Sequence, residues 1–73
     1  MDRQEAKRKV IDIALKHNRA ERDGQKWATL KALLQMQKEV ADAGVTMLEL
    51  GSAGPIDWIR MDGELIFERE TTK

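Results

Sequence analysis

The apolar positions change their spacing at Gly44. Before it they recur every three or four residues through two segments; after it they fall into short runs bounded by turn residues. In the first segment Ala6, Val10, Ile13, Ala14 and His17 share a face, with Ile11 and Leu15 at its edge, which predicts a helix over about 2–21. Asp2 followed by Glu5 is the Asp form of a capping box. Lys16, His17 and Arg19 fall near the C-terminal end, where cations suit the helix dipole. Arg22-Asp23-Gly24-Gln25 reads as a short connection, with Asp23 as the cap of the next helix. That helix is predicted over about 25–43. Trp27, Leu30, Leu33, Leu34, Met36, Val40 and Ala41 lie on one side, and Lys31, Gln35, Lys38 and Glu39 on the other. Gln37 falls inside the apolar arc, where an amide needs a partner or water. Gly44 is the expected left-handed stop, with Val45 folding back on Val40. A short connection makes the two helices antiparallel neighbours.

Beyond Gly44 the pattern predicts strands over about 45–50, 56–61 and 64–70, with Gly51-Ser52-Ala53-Gly54-Pro55 as a turn. Asp62-Gly63 is the signal of a type I′ hairpin. The simplest register sets Trp58 against Phe67, Ile59 against Ile66 and Arg60 against Leu65. It also sets Asp57 against Glu68, a like-charge pair that counts against it. Both hairpin faces are mixed, so the pattern does not choose the core face. A competing reading makes 55–62 a short helix, because Pro55 suits a first helical position and Gly63 a stop. The hairpin is the favoured reading. The expected fold class is α+β: an N-terminal antiparallel helical hairpin packed on a small C-terminal antiparallel β-sheet of two or three strands, in a single domain over 1–73.

Composition narrows the chemistry. The chain has 73 residues and no cysteine, so neither disulfides nor thiolate metal sites are available. The first five residues are charged or polar apart from Met1, which argues against a secretory signal. No apolar run approaches the length of a membrane span, and the expected location is cytoplasmic, with no membrane partner. The formal charge is zero but divided. Residues 1–40 hold ten Lys or Arg against six Asp or Glu, and residues 41–73 hold three against seven. The helical part is basic and the β part acidic.

Candidate chemical sites are weak. His17 is the only histidine, with no second histidine or cysteine to complete a metal site, so the expected role is structural. Ser52 is the only serine. It lacks the glycine two residues earlier that a nucleophile elbow needs, since Leu50 stands there. Gly51 to Gly54 has neither a dinucleotide-fold nor a P-loop pattern, so a plain turn is the favoured reading. Asp57 and Glu68 form no evident cleft for acid–base work. No enzyme activity, cofactor or metal is expected.

The feature that does suggest a role is the breadth of the apolar faces. One small core shelters one layer of such surface, and the surplus suits a partner. The expected function is a small non-enzymatic binding protein, a regulator or inhibitor acting through protein contact or self-association, including a homodimer. Trp27, Trp58, Phe67 and Arg60 are its expected partner-binding residues. The alternative is a winged-helix-like nucleic-acid-binding protein using Lys7, Lys16, Arg19, Arg22, Arg60 and Arg69. That reading lacks a recognition helix, because 45–54 reads as strand and turn.

Overall fold

A computed structural model describes residues 2–24 and 28–69. Helix α1 spans Arg3–Arg22, and the Asp2 carboxylate caps it by accepting the Glu5 N–H at 2.8 Å. Asp23 closes α1 rather than opening the next helix: its N–H returns to the Arg19 carbonyl at 3.0 Å. Helix α2 spans Thr29–Val40 and is followed by a single 3₁₀ turn, Ala41–Ala43. Ala28 occupies the N-cap position without a side-chain cap, so α2 starts later than the apolar pattern predicts. The part of that prediction that includes Trp27 lies outside the described residues. Gly44 takes the left-handed conformation with φ of 76°, as its place after the helix requires.

Three strands follow: β1 (Leu48–Ser52), β2 (Ile56–Met61) and β3 (Glu64–Glu68), paired antiparallel in the order β1-β2-β3. The 55–62 segment is therefore strand, not helix. Asp62 and Gly63 both have positive φ, 52° and 85°, as a type I′ turn demands. β1 begins three residues later than expected because 45–47 serve another purpose. The Thr46 and Met47 N–H groups turn toward the Asp62 carboxylate, at 3.0 and 2.9 Å.

Two bulges decide which residues face the helices. Opposite Gly51 and Ser52, β2 carries one extra residue, Asp57, so that Ile56 and Ile59 come to the same face. Opposite Ile59 and Arg60, β3 carries an extra residue, Ile66, and both Ile66 and Phe67 pack toward the core. The expected pairs Trp58–Phe67 and Ile59–Ile66 are thereby replaced by Trp58–Glu68 and Ile59–Phe67, while Arg60–Leu65 holds. The bulge also removes the Asp57–Glu68 conflict. Arg69 comes opposite Asp57 instead, its Nε and Nη2 both 3.0 Å from Asp57 Oδ1.

The result is two layers. α1 packs on β2 and β3, α2 packs on β1, and the helices pack on each other. Ala6, Val10, Ile13 and Ala14 of α1, Ala32, Met36 and Val40 of α2, and Ile56, Ile59 and Met61 of β2 form the buried core. The opposite face of the sheet carries Glu49, Arg60 and Leu65 in one cross-strand row and Gly51, Trp58 and Glu68 in the next. No helix covers that face among the described residues.

Charged side chains lock the hairpin to α1. Asp62 Oδ2 accepts from Arg3 Nη1 at 2.9 Å, while Oδ1 accepts from Thr46 Oγ1 and the two amides already named. The Arg3 guanidinium, then the Met47 amide and Thr46, hold the Asp62 carboxyl at about 2, below its usual 3.8. Glu64 is lowered as well, chiefly by Lys7 Nζ at 2.9 Å. Because the folded value lies below the unfolded one, the contribution of Asp62 is full above about pH 4 and is lost as pH falls toward 2. Asp62→Asn keeps the left-handed turn but loses the ion pair with Arg3. Its expected effect is a Tm lower by roughly 3–6 °C at pH 7. Between pH 4 and 2 its Tm falls less than that of the wild type. Thermal melts across that range check both statements.

Candidate interaction surfaces

The loop between β1 and β2 is built around one carbonyl. Gly54 O faces His17 Nε2 at 3.3 Å, Thr29 Oγ1 at 3.4 Å and Ser52 Oγ at 3.0 Å. His17 is fully buried, and its imidazole presents Nε2–H to that oxygen. Ser52 Oγ also lies 3.1 Å from Pro55 O and accepts the Gly54 N–H at 3.3 Å. Histidine and serine thus meet at a structural turn that joins both helices to the sheet. Beside it the Asn18 amide clamps the start of β2, with Nδ2 donating to Ile56 O at 3.0 Å and Oδ1 accepting Ile56 N–H at 2.7 Å. The apolar stripe of α1 left Asn18 unremarked. Its signal was a polar side chain beside His17 on the packed flank.

Between the second half of α1 and the end of β3 lies an open groove of about 810 Å³. Leu15, Pro55 and Phe67 supply its apolar surface; Arg19, Arg22 and Arg69 meet Glu21 and Glu68 around it. Phe67 was expected at a protein interface and the three arginines at nucleic acid, yet the fold places them together. Arg69 is engaged by Asp57. The alternating signs and the Asp57 pair leave no uniform cationic stripe.

The other cations disperse. Lys7 is tied to Glu64 near the start of α1, and Lys16 pairs with Asp12 on the same helix at 3.1 Å. Arg60 stands on the far face of the sheet, its guanidinium 5.0 Å from the centre of the Trp58 ring. Trp58 is half-buried there, lying across Gly51. The six residues of the nucleic-acid alternative therefore occupy different faces. Trp27 lies outside the described residues.

Gly51 is required by the indole above it. A Cβ at this position would overlap Trp58 at Nε1, Cε2 and Cδ1. Gly51→Ala is expected to cost about 1–2 kcal/mol in urea unfolding and to shift tryptophan emission to the red, as the indole is pushed outward. With Trp58→Thr in the same chain, the added cost of the alanine should largely vanish.

The clearest uncovered apolar surface is on α2. Ala32, Met36 and Val40 take its buried stripe, which leaves Leu30 66 % and Leu34 57 % exposed, one turn apart. Glu39 reaches Lys9 of α1 at 3.5 Å and so marks the flank that faces α1. Leu30 precedes Glu39 by nine residues, two and a half turns, which puts it on the opposite flank. The Leu30–Leu34 ridge therefore runs along the side of α2 away from α1, beside the outer edge of β1. Gln37 is exposed on the same flank, so its amide is wet.

Comparison with protein-family models, curated proteins and solved structures gives no match. Among the described residues, no cluster of three or more His, Asp or Glu is placed to hold a metal ion. No described helix is long and apolar enough to cross a membrane.

Proposed function

We propose that this protein is a small non-enzymatic binding protein that works by contact with another polypeptide, as a regulator or inhibitor would. The observation that carries the reading is the Leu30–Leu34 ridge. It is contiguous, it lies on a regular helix, and the core beneath it is already complete without it. An i, i+4 pair of leucines on a helix flank is the pattern by which helix faces anchor on partner grooves. Of the expected aromatic anchors, Phe67 packs toward the core and also lines the open groove, and Trp58 lies half-buried across Gly51.

The test uses Lys31 and Lys38, which stand on α2 near the ridge. A tagged chain treated with an amine crosslinker in a native extract is expected to join these lysines to a polypeptide. In the Leu30→Glu, Leu34→Glu variant, which adds no amine, the yield should fall about tenfold, the loss of roughly 1.4 kcal/mol of contact. Equal yields from wild type and variant, or crosslinks only from the α1 lysines, would overturn the reading.

A further inference from the structure

The two edges of the sheet are protected unequally. β3 carries a bulge at Ile66, which interrupts its outer hydrogen-bonding row, and glutamates at both ends, Glu64 and Glu68. Both are devices by which proteins keep an edge strand from pairing. β1 has neither. It runs Leu-Glu-Leu-Gly-Ser without proline or lysine, and the extra residue of its bulged pair belongs to β2. Among the described residues no strand pairs with its outer edge. The less protected edge and the uncovered ridge lie on the same side of the molecule.

Charge selects the occupant. α1 holds seven Lys or Arg against three Asp or Glu, which is the whole basic excess of the helical layer. From Thr29 to Ala43, Lys31 and Lys38 balance Glu39 and Asp42. β1 adds Glu49 alone. The strip made by α2 and β1 is thus nearly neutral and apolar, so it suits a surface of the same composition. The chain as a whole has zero net charge and does not repel its own copies.

We infer that the strip is covered by a second copy of this chain, with β1 pairing antiparallel to the partner's β1 about a two-fold axis and the Leu30–Leu34 ridges meeting above. Opposed residues in such a pair must face the same side, so a residue of even number opposes one of even number. A centre at Glu49 would set two carboxylates against each other. A centre at Leu50 sets Leu50 against the partner's Leu50 on the helix side and Glu49 against the partner's Gly51 on the other. The product is a six-stranded sheet whose two outer edges are the protected β3 strands. The pairing closes, because one edge is used once by each copy. The inference rests on the reading of the α2 ridge as a contact surface.

Sedimentation equilibrium of the untagged chain at about 50 μM is expected to give the dimer mass. Leu30→Lys, Leu34→Lys should shift it to monomer, weakening association at least about 100-fold, with an unchanged far-UV spectrum. The chain has no cysteine, so single cysteines report the register directly. Leu50→Cys is expected to form a disulfide-linked dimer under mild oxidant, and Leu65→Cys on β3 is not. A monomeric wild type overturns the inference, as does a dimer that survives the two lysines, or one that crosslinks through Leu65→Cys and not Leu50→Cys. If the wild type is monomeric while Lys31 and Lys38 still crosslink to a different polypeptide, the inference fails and the binding role stands. If neither occurs, both fail.

Discussion

Ile59→Ala is expected to cost about 3–4 kcal/mol, within the range for deleting a large buried aliphatic chain. Ile59 is fully buried at the centre of the middle strand. On the helix side of the sheet it stands between Leu50 of β1 and Phe67 of β3. Removing three carbons there deprives both neighbours of contact at once. Settling of α1 into the space is limited, because α1 is held to the hairpin through Arg3 and Lys7 and to β2 through Asn18. The penalty therefore includes a cavity as well as lost burial. A chain of this length has total stability on the order of 5 kcal/mol. The variant should then keep only about 1–2 kcal/mol at room temperature, with Tm lower by roughly 15–20 °C. Ile59→Val keeps most of the volume and should cost about 1 kcal/mol. Urea denaturation of the three chains measures the series. Equal losses for valine and alanine would mean that Ile59 does not fill the position described.

The periodicity that places Ile59 was legible in the chain; its neighbours were not. The change of spacing at Gly44 located the helices and strands, and Asp62-Gly63 located the hairpin. The bulges escaped because they are fixed by tertiary fit and not by local propensity. Ile56, Ile59 and Met61 are spaced three and two, which no flat strand can bury on one face. Asp57 as an inserted residue resolves that spacing. The predicted clash of Asp57 with Glu68 was the mark of the second bulge, and Arg69 in place of Glu68 removes it. The proposed contact surface was legible only as a surplus. The width of the apolar arc on α2 implied uncovered leucines, but which ones depended on where α1 and the sheet stand. The surroundings of the aromatic residues were not legible either: Trp58 fills the space above a glycine and Phe67 packs toward the core. Asp62 was read as a turn residue alone. Its four hydrogen bonds to Arg3, Thr46 and Met47 arise only once three distant segments meet.

Asn18→Ala is expected to cost about 2–3 kcal/mol, although the side chain is only half-buried and makes no apolar contribution of note. The loss comes from Ile56, which is fully buried. At this point β2 bulges at Asp57, and the Ile56 N–H turns to Asn18 Oδ1. Without the amide, that N–H loses the acceptor it uses, and a buried donor left unsatisfied carries its full desolvation cost. Asn18→Asp separates the two halves of the clamp. Its carboxylate can still accept from Ile56 N–H but cannot donate to Ile56 O, and it faces that oxygen with negative charge. Folding then raises the carboxyl pKa above its unfolded value, so the variant gains stability as pH falls from about 6 to 4, where the protonated acid donates again. Asp62 is still ionised over that window, so the gain is not masked by loss of its bonds. Thermal melts of the Asn18→Asp variant that are flat or falling over that range would show that Ile56 O does not depend on a donor from α1. The same clamp holds the β1–β2 connection, together with His17 and Thr29 on Gly54 O. Asn18→Ala should therefore loosen β1 before the β2–β3 hairpin, and amide exchange should accelerate at 50–56 ahead of 59–67.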